Sequence, residues 1–503
     1  MIKDEQLREE AMAAANYDDQ SRKINQPSRS IFWSRDIASP LFEIVLQNIC
    51  NEIEGKEERS KKRSIRAHHG FTRMVKALVL DLYVARKSNK RMQLGLPLNK
   101  NEYSPTNNYH RMVSFYQSVA LSYMDVQSAY KGLEACGYLR TEKKGHFDKE
   151  KGKGKRTRIR ATQKLMSALE EQAHITLWQI RQLEGCNNIV LKDENKDIIP
   201  YEHNSQTTKM SENLERINRH LSTFWIDLYL KDTEFEALRR HVWNRHLEDE
   251  EALPSIDVSA RTLRRIFNNS SWNEGGRFYG AWWLGIPKEY RKYIHINGKQ
   301  TVELDYSGMH PALVYAEVGV TPPLDPYDMG LENVVRDVKK VAFNSLVNAS
   351  NKNIKQHSDF NEMDAGCSWQ ELLEAIIDAH SPIREYFGSG FGLQLQKKDA
   401  DIAEKVMLRF ADMQYACLPV HDSFLVHHAL ADELREYMEH YYMEVAGAMA
   451  KVDGKSILTY DAPVEHKFVD MGNVEEMLSG GEYREYTNRQ YQWYSYIDNM
   501  NIT

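Results

Sequence analysis

The chain has 503 residues, of which 42% are hydrophobic, 10% aromatic and 27% charged, and its formal net charge is −6. This balance is typical of a globular protein with more than one core, and it excludes collagen-like, low-complexity and wholly disordered chains. No apolar run is long enough to span a membrane, and the polar N-terminus is not a secretory signal. The five cysteines contain no CxxC pair, so we expect a cytoplasmic protein without a cysteine-rich zinc site.

Composition and hydrophobic periodicity divide the chain into six segments. In chain order we expect a disordered arm, a mostly helical unit with a hairpin, a linker, a helical region, a mixed α/β region and a tyrosine-rich tail, over residues 1–30, 31–175, 176–210, 211–270, 271–475 and 476–503. The arm is polar and weakly helical, which is typical of unstructured termini. The fold class predicted for the whole chain is α+β.

A strongly basic strip lies between Arg140 and Arg160, where ten lysines or arginines stand against three acidic residues. A predicted helix from Ser122 to about Ala135 precedes it, and two predicted strands flank its glycine- and lysine-rich turn. Helix, strand, basic loop and strand in this order resemble a winged helix. That resemblance implies a nucleic-acid-binding domain, in which the helix enters the major groove and the wing contacts phosphates.

Five basic side chains of the strip are the predicted nucleic-acid contacts: Lys151, Lys153, Lys155, Arg156 and Arg158. The alternative is a solvated basic hairpin without function. We favour binding because basic residues occupy both strands and the loop, and a concentrated positive strip on an acidic protein attracts polyanions.

Two later segments each place an aspartate at the end of an apolar strand. Asp305 ends one of them, and His421-Asp422 lies between two apolar runs, which favours a β-hairpin with this pair at its tip. Carboxylates are preferred Mg²⁺ ligands, and two from different strands can hold two ions for in-line displacement at phosphorus. A lone aspartate at a turn more often has no such role.

A helix is predicted over residues 335–348. Arg336, Lys340, Asn344 and Asn348 recur every four residues and therefore share one face. Two cations followed by two amides suit contacts with a triphosphate and a sugar, although such a stripe taken alone is more often a solvated face.

These segments together resemble the polymerase core shared by family A DNA polymerases and single-subunit phage and mitochondrial RNA polymerases. Five short motifs occur in the order of that family, on Gly276-Arg277 with Ile286-Pro287, Asp305-Tyr306-Ser307, Arg336 with Lys340, Gln396 with Asp401-Ile402, and His421-Asp422. The resemblance implies a right-hand fold with a helical thumb over 211–270 and a palm with fingers over 271–475. It also implies a DNA primer–template and nucleoside triphosphates as partners.

The resemblance assigns roles residue by residue. Two Mg²⁺ ions are expected on Asp305, Asp422 and the backbone carbonyl of Tyr306, with Lys340 as a further catalytic group that protonates pyrophosphate. The implied nucleotide contacts are Tyr306, His310, Arg336, Lys340, Asn344 and Asn348, and the implied primer–template contacts are Arg277, Gln396 and His421.

Three departures from the family pattern bear on the substrate. His310 stands where DNA polymerases carry an acidic residue, Asn348 replaces an aromatic residue, and Ser423 replaces a glutamate. His310 is bulky enough to exclude a 2′-hydroxyl, which favours DNA synthesis. The upstream sequence does not carry the acidic pattern of a proofreading exonuclease. With these intermediate features the chain resembles a group of transposon- and virus-associated polymerases, which implies the replication of a mobile element, plasmid or phage. The alternatives are a single-subunit RNA polymerase or primase, a DNA-binding replication initiator with an inactive palm, and a two-metal nuclease.

Overall fold

The computed structural model describes residues 27–59, 61–148, 153–248, 255–454 and 481–501. The chain is a mixed α+β protein with a smaller hydrophobic core built from Ile31 to Ile180 and a larger one built from Trp178 to Trp493. None of the helices in these ranges combines the length and the apolar character needed to cross a lipid bilayer.

The described helices are α1 (Pro40–Lys56), α2 (Ile65–Ser88), α3 (Asn108–Gln117), α4 (Tyr123–Ala135), α5 (Gln163–Ser167), α6 (Ser205–Leu221), α7 (Asp232–Glu248), α8 (Lys288–Arg291), α9 (Met309–Glu317), α10 (Arg336–Asn348), α11 (Glu362–Ala365), α12 (Trp369–Ala379), α13 (Gly392–Asp412), α14 (Ala431–Ala446) and α15 (Arg484–Asn501).

The described strands are β1 (Ser28–Ser30), β2 (Arg35–Asp36), β3 (Gln93–Leu96), β4 (Leu139–Lys143), β5 (His146–Asp148), β6 (Lys153–Lys155), β7 (Thr157–Ala161), β8 (Arg181–Gln182), β9 (Ile189–Lys192), β10 (Ile198–Ile199), β11 (Ile226–Leu228), β12 (Arg264–Phe267), β13 (Gly275–Tyr279), β14 (Ile294–Ile296), β15 (Lys299–Tyr306), β16 (Cys417–Val420), β17 (Ser423–His427) and β18 (Val452–Asp453).

The smaller core is built on helix α2. Ser64 caps the start of this helix by accepting a hydrogen bond from the Ala67 N–H, and thirteen of the eighteen residues from Phe71 to Ser88 are buried. A sheet of order β1-β3-β7-β4 packs beside it. Helix α4 is followed by Gly137, whose left-handed φ of 76° turns the chain into β4, and β4 pairs antiparallel with β7. Helix, strand, basic hairpin and strand therefore occur in the predicted order.

The prediction of a disordered arm over residues 1–30 is wrong for residues 28–30. Ser28–Ser30 forms β1, because Arg29 donates two hydrogen bonds, of 2.8 and 2.7 Å, to the fully buried carboxylate of Asp81 on α2. Residues 1–26 of the arm lie outside the described part of the chain.

Two further segment predictions are corrected. Residues 176–210 are not a linker, since buried β9 lies in a sheet of order β10-β9-β12-β13 and pairs in parallel with β12. Residues 211–270 are not wholly helical, since they also contain β11 and β12. All these strands have only two to five residues, so alternation is too short to be distinguished from helical spacing.

The larger core surrounds a six-stranded sheet of order β11-β14-β15-β17-β16, with β18 paired to β15. The described part of the tail, residues 481–501, packs against the larger core. Helix α15 packs Tyr486 and Trp493 into this core, and Arg489 donates hydrogen bonds of 2.7 and 2.9 Å to both oxygens of Asp227 on the edge strand β11.

Replacing Arg489 with alanine should destabilise the larger core by about 3–5 kcal/mol, because it leaves the Asp227 carboxylate buried without its partner. Calorimetric unfolding of the full chain measures the change. Arg219→Ala, which removes an exposed pair with Glu215 on α6, is the matched control and should leave the transition in place. Equal shifts for the two variants would contradict the structural role given to Arg489.

Candidate active site

The register of one strand pair brings the two predicted aspartates together. Strands β15 and β17 are antiparallel, and Asp305 lies opposite Ser423, the residue after Asp422. The Tyr306 N–H also donates to the Asp422 carbonyl at 3.3 Å. Both carboxylates therefore lie at the same end of the sheet.

His421 and Asp422 form the two-residue turn between β16 and β17, as predicted. His421 is exposed and has a left-handed φ of 58°. Two-residue hairpin turns need positive φ at their first central position, which glycine supplies without strain. A histidine held in this conformation is strained, and such strain is common at functional sites.

The electrostatics of Asp305 indicate a cation site. Burial, and then the nearby Asp422 carboxylate and Glu303, raise its pKa to about 6, against the opposing effect of Lys288 and Lys340. The Oδ1 atom of Asp305 is buried and accepts no hydrogen bond. A buried carboxylate oxygen without a donor is costly, and a metal cation satisfies it.

These residues fit the predicted magnesium. Asp305 and Asp422 supply two hard oxygen ligands from adjacent strands. Within the described ranges no group of three or more histidine, cysteine, aspartate or glutamate side chains is gathered to hold a metal. Further ligands would have to come from backbone, water or substrate, and the backbone carbonyl of Tyr306 is the nearest predicted one. The Tyr306 ring is excluded from nucleotide contact, because it is buried and its hydroxyl donates to the Met438 carbonyl.

Helix α10 carries the predicted cationic stripe. Lys340 is exposed, and its charge lowers the pKa of both Asp305 and His310, so it lies near the carboxylate centre. Arg336 instead donates two hydrogen bonds, of 3.1 and 3.0 Å, to Asp325 at the surface. A ligand at the centre would have to displace Asp325 to reach this guanidinium.

The two amides of the stripe differ in their surroundings. The Oδ1 atom of Asn344 is buried without a hydrogen-bond donor, so it is available to a ligand group that carries one. Asn348 is exposed, and its Nδ2 donates to the Asn344 carbonyl at 2.7 Å. Gly392 at the start of α13 lies so close to Asn348 that a Cβ atom on residue 392 would clash with the Asn348 side chain. The Asn348 end of the stripe is therefore closed by α13.

Arg277 is placed differently from the prediction. Its guanidinium donates to the Asp399 carboxylate at 2.7 Å and contacts the Nε2 atom of His310 at 3.0 Å. Asp399 is only 2% exposed, so the pair is largely removed from water. Arg277 is thus held largely inside the protein by Asp399 and His310, and its contact with a primer–template stays a prediction.

This contact defines the state of His310. Because arginine only donates, the Nε2 atom of His310 must accept, and the ring proton lies on Nδ1. Burial, and then the Arg277 charge, lower the pKa of His310 to about 4 despite the opposing Asp422 carboxylate. His310 is a neutral, oriented ring at the edge of the carboxylate centre.

Three residues of the site were missed by sequence reasoning: Glu303, Arg291 and Asp399. Glu303 accepts hydrogen bonds from Arg291 at 2.8 Å and from the Ser423 hydroxyl at 2.6 Å, which ties β15 to β17 beside the two aspartates. The signal was present, since Glu303 and Asp305 alternate with the apolar residues Val302, Leu304 and Tyr306. Asp399 carried no signal, because its partner Arg277 is remote in sequence.

Gln396 is half-buried on α13, three residues before Asp399. That spacing places it on the same helix face as Asp399 and therefore on the side of Arg277. It remains a predicted primer–template contact.

The residues of the basic hairpin separate into two groups. Lys155 is exposed, Lys153 lies in β6, and Lys151 lies outside the described residues. Arg156 is engaged internally, with Glu102 at 3.3 Å and the Tyr109 ring at 4.7 Å.

Arg158 is also turned inward. It is half-buried on β7, and its guanidinium lies over Gly95. Burial, and then the Arg156 charge, lower its pKa from the usual value. Arg156 and Arg158 are thus turned partly inward, and their predicted contacts with phosphates stay a prediction.

No family model and no curated protein matches the chain. Among solved structures, it is similar to the POL domain of Pol1 from M. smegmatis, in complex with DNA primer-template and dNTP, with 11% sequence identity. The match covers 85% of this chain and 67% of that chain, with a TM-score of 0.28. The function proposed below rests on the carboxylate centre and not on this likeness.

Asp305→Asn should raise the melting temperature of the metal-free protein at pH 7.5, and by less at pH 4.5. In the folded state the pKa of Asp305 is about 6, above its ordinary value of 3.8. Between these two pH values the folded state holds a proton that the unfolded state releases, so the protein loses stability as the pH rises through this range. Asp328→Asn, an exposed surface change, should have no effect at either pH.

Magnesium provides the second arm of this measurement. Millimolar Mg²⁺ should stabilise the unaltered protein and not Asp305→Asn, because a ligand bound only to the folded state raises its stability. Equal Mg²⁺ stabilisation of both proteins would show that Asp305 does not hold the ion.

Proposed function

We propose that the chain is a template-directed nucleotidyltransferase, a DNA polymerase that extends a primer with deoxyribonucleotides. The observation that carries the proposal is the pairing of Asp305 and Asp422 at one sheet end, with an unsatisfied buried oxygen on Asp305 and with Lys340 nearby. Paired carboxylates opposite a cationic helix suit a nucleoside triphosphate, whose phosphates need both metal and basic contacts. A two-metal nuclease would not need the α10 stripe.

In this proposal the six-stranded sheet is the palm of a right-hand polymerase, and α10 and α12 belong to its fingers. The region 211–270, with α6 and α7, takes the place of the thumb. Two Mg²⁺ ions held by Asp305, Asp422 and the Tyr306 carbonyl would supply the charge that acidifies a primer 3′-hydroxyl and stabilises pyrophosphate.

The side chains around the centre have distinct tasks. The 3′-oxygen forms a bond to the α-phosphorus as the bond to pyrophosphate breaks, and Lys340 donates a proton to that leaving group. Arg336 exchanges Asp325 for the outer phosphates, and Asn344 accepts a hydrogen bond from the nucleotide. His421 positions the primer end. His310, fixed by Arg277, occupies the space that a 2′-hydroxyl would need.

Residues 31–175 bind duplex nucleic acid in this proposal, in the manner of a winged helix. Helix α4 is the groove-binding element and the β4–β7 hairpin is the wing. Because Arg156 and Arg158 are turned partly inward, the exposed Lys143, Lys144 and Lys155 are the more accessible phosphate contacts.

Asp422→Ala should abolish primer extension while leaving the fold and primer–template affinity unchanged, because it removes one of the two carboxylates proposed to hold the metal ions. The assay uses a labelled primer–template and Mg²⁺, with dNTPs and NTPs in separate lanes. Asp432→Ala, an exposed aspartate on α14, is the matched control and should extend normally.

Each other outcome of this assay has a defined meaning. Near-normal extension by Asp422→Ala would remove the two-metal assignment. Extension with NTPs, or synthesis without a primer, would move the protein to the RNA polymerase or primase class. The absence of product from every lane would favour the alternative of a DNA-binding replication initiator with an inactive palm.

Lys143→Glu with Lys155→Glu should weaken duplex binding at least tenfold and reduce the slope of log K against log salt by about 2, since each lost phosphate contact removes about 0.9. A gel-shift titration at several salt concentrations measures both quantities. Lys61→Glu with Lys62→Glu makes the same charge change on an exposed segment outside the hairpin. Unchanged affinity and slope for the hairpin variant would show that the duplex binds elsewhere.

A further inference from the structure

A cleft with a cationic lining is separate from the carboxylate centre described above. A cleft of about 970 Å³ opens between the two hydrophobic cores. One wall comes from the C-terminal end of α2 and the turn after it, and the other from α7 and α15. None of the residues assigned above to catalysis or nucleotide binding lines it.

The lining carries more positive than negative charge, with eight arginines or lysines against four acidic residues. Each acid already has a basic partner. Glu170 pairs with Lys87, Glu236 with Arg239, Asp257 with Arg35, and Glu485 with Arg239 and Arg489. The acids therefore do not neutralise the remaining cations of the cleft.

Four of those cations have no ion pair among the described residues: Arg86, Lys90, Arg91 and Arg484. The first three come from the α2 wall and the last from the α15 wall, so positive charge faces the cleft from both sides. Like charges brought together in this way repel each other, and the arrangement is favourable when a polyanion lies between them.

Neutral groups of the lining are also suited to a nucleic acid. Asn89, Asn244, Asn488 and Gln492 offer amides that can both donate and accept. Trp243 adds an aromatic ring, and its Nε1 donor is buried without an acceptor. Amides and an indole can contact base edges and faces, which are accessible only when the strand is unpaired.

We propose that this inter-core cleft binds a single strand of nucleic acid, with its phosphates between Lys90, Arg91 and Arg484 and its bases against Trp243 and the amides. Because the cations lie on both walls, the site fits an extended polyanion better than one compact phosphate group. The binding is independent of nucleotide addition, so it stands or fails separately from the proposed polymerase activity.

The test is fluorescence anisotropy of the full chain with labelled 20-nucleotide single strands of DNA and of RNA, at several salt concentrations. Lys90→Glu with Arg91→Glu should weaken single-strand binding at least tenfold. It should also reduce the salt slope by about 1.4, since each phosphate contact on a single strand contributes about 0.7. The DNA and RNA arms identify which strand binds more tightly.

Lys61→Glu with Lys62→Glu is the matched control, because Lys61 and Lys62 are consecutive, exposed residues within 31–175 that do not line the cleft. It should bind within twofold of the unaltered chain. Equal losses for both variants, or no loss for the cleft variant, would overturn the proposal. Competition by inorganic tripolyphosphate at concentrations equal to the strand would also overturn it, since the site would then take a compact polyphosphate.

A second experiment uses only the unaltered chain, so it remains informative if the cleft variant folds poorly. Photocrosslinking of the unaltered chain to a strand that contains 4-thiothymidine should label peptides from residues 86–91, 240–244 or 484–492. Labelling confined to other peptides would contradict the proposal. Primer extension by the cleft variant on a labelled primer–template reports the polymerase activity separately.

Discussion

The structure depends on one electrostatic constraint, the confinement of two carboxylates at the end of an antiparallel strand pair. The register of β15 and β17 leaves no freedom to separate Asp305 from Asp422, and burial deprives Asp305 of water. The repulsion is opposed by cations that approach from different elements, with Lys288 on α8 and Lys340 on α10. A centre built in this way fits the proposed metal ions and the phosphates that accompany them.

The same constraint explains why so many side chains near the centre bind each other. Glu303 is held by Arg291 and Ser423, and Asp399 by Arg277, so each further carboxylate has a partner that offsets part of its charge. Such networks fix the strand ends and the first turn of α9. In this arrangement Arg277 holds Asp399 and orients the His310 ring.

The sequence predicted the parts of the site that are local and failed on the parts that need tertiary contacts. The turn at His421-Asp422 and the face of α10 follow from short patterns, and both are present. The inward direction of Arg156 and the Arg277–Asp399 pair could not be predicted, since the partners are distant in sequence. Short strands such as β9 were missed because alternation over four residues is ambiguous.

The left-handed backbone of His421 has a consequence for the evolution of the chain. A non-glycine residue in this conformation costs about 1–2 kcal/mol, and glycine would relieve that cost while deleting the imidazole. If His421 positions the primer end as proposed, selection for folding and selection for chemistry favour different residues at position 421. Homologues that lack this chemistry are then expected to carry glycine or asparagine at the turn.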